Sequence, residues 1–425
     1  MGLKKYEGLI IDTHNDTMMK AVDPVTQVPC IDIGQDTNFN IDLTKMEKGN
    51  VNIAYFAAFT EDYGDVETNN HRILASINAL FHVEKMNPGR FAVAKSFSQM
   101  MHDITLGKRI GVATIEGAYS INAANMAGLM KQYADLHVKA IAPVWNHSNL
   151  LGEGTYSKFV DETDSSNGLT TLGEAFVKTM SELNMMVDVS HMNEATFWDV
   201  VKHTKRPIIA SHSGASGIKS HLRNLKDDQL LAIRNTGGVV NVVFCRYFLG
   251  DEFADLSVLI DHIEYIAALI GDEHVGLGSD FDGATMPVKL EDISRVPEII
   301  TGLRERNFSE NAIANIMGNN NLRLLKSFDT QDQNRKRLEL LTVPVILSNA
   351  QTIEWSLDSD MVGIITESIT FLWDGILLKC HYNDLDKKIV AQSNFIIKQR
   401  YHVATIEFKD QENNIYFCTS ISELK

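Results

Sequence analysis

Histidines and carboxylates close several apolar runs of this sequence, and their residue types suit the holding of a divalent cation. His14 and Asp16 end "LIIDTHND", Glu116 ends "IGVATIEG", and His147 ends "KAIAPVWNH". His191 ends "MMVDVSH", His212 ends "PIIASH", and Asp280 and Asp282 stand in "HVGLGSDFDG". A single histidine of this kind reads better as a polar cap on a buried strand. Brought together, three histidines with an aspartate and a glutamate have the ligand chemistry of zinc or a similar ion.

Bringing them together falls to the elements. Eight runs (9–14, 51–59, 110–117, 139–147, 185–191, 207–212, 238–244 and 274–283) are mostly continuous in hydrophobicity. Parallel strands covered on both faces have this character. Helical spacing separates them. In 170–184, Leu172, Phe176, Met180 and Leu183 fall on one stripe, with Thr170 or Thr171 as a cap. In 255–271, Leu256, Leu259, Ile263, Ile266 and Ile270 share a face, and Gly271 is a natural stop. Eight alternations predict an α/β fold, a (β/α)8 TIM barrel, with a doubly wound open sheet as the alternative. In a barrel the C-terminal strand ends share one rim, where active sites are built.

The rhythm breaks near residue 327. "SFDTQDQNRKR" reads as a linker, and beyond it the pattern is strand-rich. Asp374-Gly375 between "ITFLW" and "ILLKC" is a hairpin signal, and "FKDQENNIYF" reads as a second hairpin with a longer loop. The expected division is a barrel over 1–326 and a small antiparallel β domain over 327–425. The tail carries no cluster of potential ligands and reads as accessory.

A net charge of −16 with scattered Lys and Arg argues against nucleic acid or an anionic membrane surface as partner. Four distant cysteines read as reduced thiols, and no apolar run approaches the roughly 18 residues of a membrane span. The first strand begins within eight residues of the start, leaving no room for a signal peptide. The expectation is a cytoplasmic protein.

The set "IDTHNDT", "TIEGAYSI", "WNHSN", "VDVSHMNEATFWDV", "PIIASHSGA", "LRNLKDDQL" and "GLGSDFDG", in this order, resembles the membrane (renal) dipeptidase family. The resemblance covers about residues 8–326. It implies a di-zinc dipeptidase on an amidohydrolase-type barrel. Carried over by residue, His14 and Asp16 would bind one zinc, His191 and His212 the other, and Glu116 both. His147 and Arg223 would contact substrate, and Asp280 would be the catalytic acid/base. Asp282 reads as structural. Phe244 stands where animal members of the family carry a tyrosine, and the β tail has no counterpart in typical members.

The chemistry agrees with these types. A carboxylate offers two oxygens and can span two ions, which suits Glu116 to the bridge. Two metals can share one hydroxide and polarise a carbonyl. Arg223 can fork a substrate carboxylate, which would confine the enzyme to very short peptides. Asp280 could take a proton from the attacking water and give it to the leaving amine. His147 could donate to the developing oxyanion. The expected function is hydrolysis of unblocked dipeptides, L,L and in part L,D, with two Zn²⁺ per chain or Mn²⁺ or Fe²⁺ as substitutes. A related hydrolase acting on another amide or a lactone would share the ligands, and a metal-stabilised binding protein is the non-enzymatic alternative. A homodimer is the expected assembly.

Overall fold

The barrel is built from β1 (Ile11–Asn15), β2 (Ile53–Phe59), β3 (Phe91–Val93), β4 (Arg109–Glu116), β5 (Ala140–Ala142), β6 (Met186–Val187), β7 (Ile209–Ser213), β8 (Val239–Val243) and β9 (Val275–Gly278). The computed structural model describes residues 6–156, 167–329, 335–338, 342–347, 351–357, 364–394 and 397–424. Part of the expected linker therefore lies outside the described residues.

All pairings among these strands are parallel. One sheet runs β1-β2-β4-β5-β6 and another runs β7-β8-β9. Isolated parallel bridges, Asp188 to Ile209 and Asn15 to Phe281, join their edges. Eight strands so close into a TIM barrel, each matching one of the eight apolar runs. β3 is the addition that hydrophobicity did not reveal. It pairs only with Arg109–Gly111 at the start of β4, below the level where β5 takes over at Thr114.

Two apolar layers fix the barrel. Ile11, Tyr55, Val112, Met186, Ile209 and Val239 meet in the interior, together with Leu324 and Leu325 of the helix Asn320–Ser327. The larger layer lies between the strands and the surrounding helices. The expected stripes belong to Thr171–Glu182, capped by the Thr170 side chain, and Leu256–Ile270, ended by Gly271 at φ 88°. The floor of the cylinder is hydrocarbon, so the polar residues are left to the other end.

Two strands break register where the chemistry needs it. β1 shifts between Asp12 and Asn15, and β7 shifts between Ala210 and Ser213. A bulge re-aims the side chains inside it, and here those include His14 and His212. Among the described residues, no helix is long and apolar enough to cross a membrane.

The tail forms one sheet of eight strands: β10 (Arg335–Arg337), β11 (Val345–Ile346), β12 (Thr352–Ser356), β13 (Ile364–Trp373), β14 (Ile376–Asn383), β15 (Lys388–Gln392), β16 (Tyr401–Asp410) and β17 (Ile415–Glu423). Asp374 and Gly375 have φ of 47° and 81°, the left-handed pair that a tight two-residue hairpin needs. β16 and β17 form the second hairpin. β10 lies in the expected linker. Its Arg335 is paired with Asp135 and Glu407, so its polarity marks a charge-paired edge strand.

The sheet rests on the barrel helices Val66–Met86 and Met126–Asp135. Gln132 donates to the Leu372 and Val403 carbonyls and accepts from Gly375 N–H. Asn70 donates to Asp374, and His71 Nδ1 accepts from Tyr401 N–H. Gly128 is required there, because a Cβ would lie 2.1 Å from the Gly375 carbonyl oxygen.

Candidate metal centre

The five ligand candidates converge at one mouth of the barrel. His14 Nε2 lies 3.6 Å from Glu116 Oε2 and 3.7 Å from Asp16 Oδ2. On the other side, Glu116 Oε1 lies 2.8 Å from His191 Nε2 and 3.5 Å from His212 Nε2. The two Nε2 atoms of His191 and His212 are 2.9 Å apart. Asp280 Oδ1 stands 4.0 Å from His14 Nε2. The His14 and His212 rings stack with centroids 3.8 Å apart. All of these residues except Asp280 are buried, and Asp280 is nearly so.

Local structure explains the aim of each side chain. His14 and His212 sit within the two register shifts. His191 and Asp280 adopt φ of 69° and 62°, a conformation that non-glycine residues avoid and that concentrates at functional sites. The Asp12 carboxylate holds the turn before Asp280 by accepting from Ser279 N–H and Oγ–H. Gly283 is needed for approach: a Cβ there would lie 2.0 Å from Asp16 Oδ2 and 2.6 Å from Asp280 Oδ1. Asp282 accepts from Thr17, Lys20 and the Asn40 backbone, a structural tie.

These side chains fit a pair of cations. His14 Nε2 and Asp16 Oδ1 are buried with no hydrogen-bond partner among the described residues. Burial lowers the pKa of His191 to about 4, with Arg223 adding to the effect. His212 is pushed well down by burial and by His14 and Arg223. Neutral imidazole is the metal-binding form. Burial opposes a charge on His14 and on Glu116. Even so, Glu116 and Asp16 hold His14 well above its usual value, and His14 and His191 hold Glu116 well below. Two oxygens of one carboxylate facing two separate imidazole groups is the layout of a shared ligand.

A cavity of about 590 Å³ opens over the cluster. Its walls include Phe59, Glu61, Trp145, Asn146, Tyr156 and Phe248, and its floor includes Glu116, His191 and Asp280. Arg223 lines it too, although only 3% exposed. The guanidinium donates to the His212 carbonyl at 3.2 Å, while its buried Nε has no partner among the described residues. A second cavity of about 630 Å³ adjoins the first through Tyr156, His191 and Arg223.

His147, expected to contact substrate, lines neither cavity; nor do the buried His14 and His212. β5 ends at Ala142, so His147 lies five residues along a loop, with its carbonyl held by Tyr119 Oη at 2.8 Å. Its ring packs edge-on against Trp145 at 5.5 Å between centroids. Its neighbour Asn146 is at the site instead, with Oδ1 2.8 Å from His191 Nδ1. Sequence reasoning also passed over Ser211, whose Oγ lies 2.9 Å from His212 Nδ1, and Asp188, which holds Ser211. The one available signal was adjacency to the histidines in "VDVSH", "ASHS" and "WNH".

A family model described as membrane dipeptidase (peptidase family M19) matches residues 6–339. The chain is 30% identical over 337 residues to dipeptidase verJ of Clonostachys rogersoniana, covering 75% of this chain and 84% of that protein. It is 32% identical over 341 residues to an uncharacterized dipeptidase of Schizosaccharomyces pombe, covering 75% and 80% respectively. Among solved structures, a metallo peptidase from Rhodobacter sphaeroides, liganded with a phosphinate mimic of the dipeptide L-Ala-D-Ala, is similar with a TM-score of 0.67. Its identity is 25%, over 75% of this chain and 99% of that one.

Proposed function

The chain belongs to the membrane dipeptidase family and is a metal-dependent dipeptidase; on that premise we propose a dinuclear zinc enzyme that hydrolyses unblocked dipeptides. The observation that carries this reading is the division of Glu116 between His14 on one oxygen and His191 with His212 on the other. We assign His14 and Asp16 to one cation, His191 and His212 to the second, and Glu116 to both. Zinc suits this set of nitrogen and carboxylate donors, with Mn²⁺ or Fe²⁺ as substitutes. When bound, such a pair lowers the pKa of a shared water to about 7 and polarises the scissile carbonyl.

The chain's own residues do the remainder. Arg223 receives the substrate's C-terminal carboxylate on N–H groups that the His212 carbonyl does not use. Fixing that carboxylate on a bidentate fork would confine the enzyme to very short peptides. Recognition through the carboxylate places no demand on the handedness of the terminal residue. The reading therefore includes dipeptides with a D-residue at that side, and the mimic held by the Rhodobacter relative supports this. Burial holds the Asp280 carboxyl well above its ordinary range, with Asp16 and Glu116 adding to the rise against the opposing pull of His14 and Arg223. Such a group can accept a proton from the attacking water at Oδ1 and pass it to the leaving amine. Trp145 and Asn146 line the cavity beside the cluster, whereas His147, expected to contact substrate and to donate to the oxyanion, is not part of that lining. The widely spaced free thiols support a reducing compartment such as the cytoplasm.

Dialysis against a strong chelator should abolish hydrolysis of free dipeptides, and added Zn²⁺ should restore it. Turnover that survives complete removal of metal would refute the reading.

A further inference from the structure

Ser211 stands between a carboxylate and a candidate ligand. Its hydroxyl hydrogen-bonds Asp188 Oδ2, and the same oxygen lies 2.9 Å from His212 Nδ1. A serine hydroxyl carries one hydrogen. Asp188 acts as an acceptor elsewhere too: its Oδ1 takes the backbone N–H groups of Ser190 and Ser211, each at 3.0 Å. The single hydrogen of Ser211 therefore goes to Asp188, and only lone pairs remain for the imidazole. Ser190 Oγ, 3.3 Å away, is compatible with this, because it can direct its own hydrogen at Ser211. His212 Nδ1 must then be the donor. A neutral imidazole has one N–H, which leaves Nε2 bare.

We propose that the Asp188–Ser211 pair locks His212 in the Nδ1–H tautomer, so that Nε2 faces Glu116 as a free electron pair before any cation arrives. The geometry makes the two neighbouring histidines unequal. His191 Nδ1 meets an amide, Asn146, which can present either oxygen or NH₂ to it. With His212 Nε2 bare, any hydrogen shared at this corner belongs to His191, whose Nε2 lies 2.9 Å from His212 Nε2 and 2.8 Å from Glu116 Oε1. His212 is thus the fixed half of its cation site, and His191 is the half that rearranges on loading. Ser211 and Asp188 are positioning residues. The consequence for metal affinity rests on the dinuclear reading above, whereas the tautomer itself does not.

The test uses metal-free full-length protein with ¹⁵N-labelled histidine. Long-range ¹H–¹⁵N correlations of His212, assigned by their loss in His212→Gln, should show a protonated Nδ1 and an unprotonated Nε2. Ser211→Ala should admit the other tautomer and weaken Zn²⁺ binding at this site about 10- to 100-fold in chelator competition. Ser211→Thr, which keeps the hydroxyl, should restore both. An Nε2–H pattern for His212 in the wild type overturns the proposal. So does a folded Ser211→Ala protein with unchanged tautomer and affinity. If the alanine variant does not fold, the threonine variant decides, and an Nε2–H pattern there is equally fatal. The tautomer is read without metal or substrate, so it can fail while the dipeptidase reading stands, and the reverse.

Discussion

Glu116 is the residue on which the site turns, because only a two-oxygen ligand can face His14 and the His191–His212 pair at once. Arg223 is its proposed complement at the substrate end. Charge-assisted hydrogen bonds contribute about 1.5–3 kcal/mol each. Arg223→Ala should therefore lower kcat/KM for free dipeptides by roughly 10- to 100-fold or more. The same change should have little effect on dipeptide amides, which lack the carboxylate. Steady-state kinetics on both substrate classes would show it, and equal losses on the two would remove Arg223 from carboxylate recognition. The candidate ligands were legible in the sequence because each stands at or near the end of a hydrophobic run. Asn146, Ser211 and Asp188 were not, because a polar residue beside a histidine gains its meaning only from the direction in which its side chain points. His147 shows the converse: its type and position fitted a role, yet it lies five residues past the end of β5, packed edge-on against Trp145 and outside the cavity lining.

At the level of elements, strand ends do the positioning and register shifts do the aiming. The eight strands were readable because a parallel strand buried on both faces must be apolar throughout. The shifts in β1 and β7 leave no mark in hydrophobicity. The same holds for β3, whose three residues pair only with the foot of β4. β10 was hidden for another reason, since Arg-Lys-Arg looks like a solvated linker until Asp135 and Glu407 are set beside it. The joint between barrel and tail sheet contains buried polar groups, and it gives a pH prediction. Burial, assisted by His402, pushes His71 down to about 4, against about 6.5 in an unfolded chain. Between those values the unfolded chain takes up a proton that the folded chain refuses. Stability should therefore fall as pH drops through this window and change no further from this source below it. His402 has the opposite sign: burial opposes its charge, but Asp374 prevails and raises its pKa. Its contribution is complete below about 6.5 and fades as pH rises through its folded value. Thermal unfolding at pH 7 and pH 5 should show a smaller acid loss in His71→Gln than in wild type. An identical loss in both proteins would remove His71 as the cause.

Taken whole, the molecule places a polar, metal-fitted mouth on a hydrocarbon floor and leaves apolar residues around that mouth. Leu222, Phe253 and Val288, on loops after β7, β8 and β9, and Tyr247, in the short helix Arg246–Leu249 after β8, are 48%, 75%, 45% and 52% exposed. We propose that a homodimer covers them. Sedimentation at micromolar concentration should give about twice the 47.5 kDa chain mass, and a monomer would contradict the assembly. The C-terminal sheet lies mostly beyond the family match, which ends at residue 339, yet it supplies hydrogen bonds to Gln132, Asn70 and His71 of the barrel helices. The most direct measurement for the account as a whole is anomalous diffraction at the zinc edge from zinc-loaded crystals. Two peaks about 3.5–4 Å apart are expected, one against His14 and Asp16, the other against His191 and His212, with Glu116 touching both. A single peak, or zinc bound away from Glu116, would contradict it.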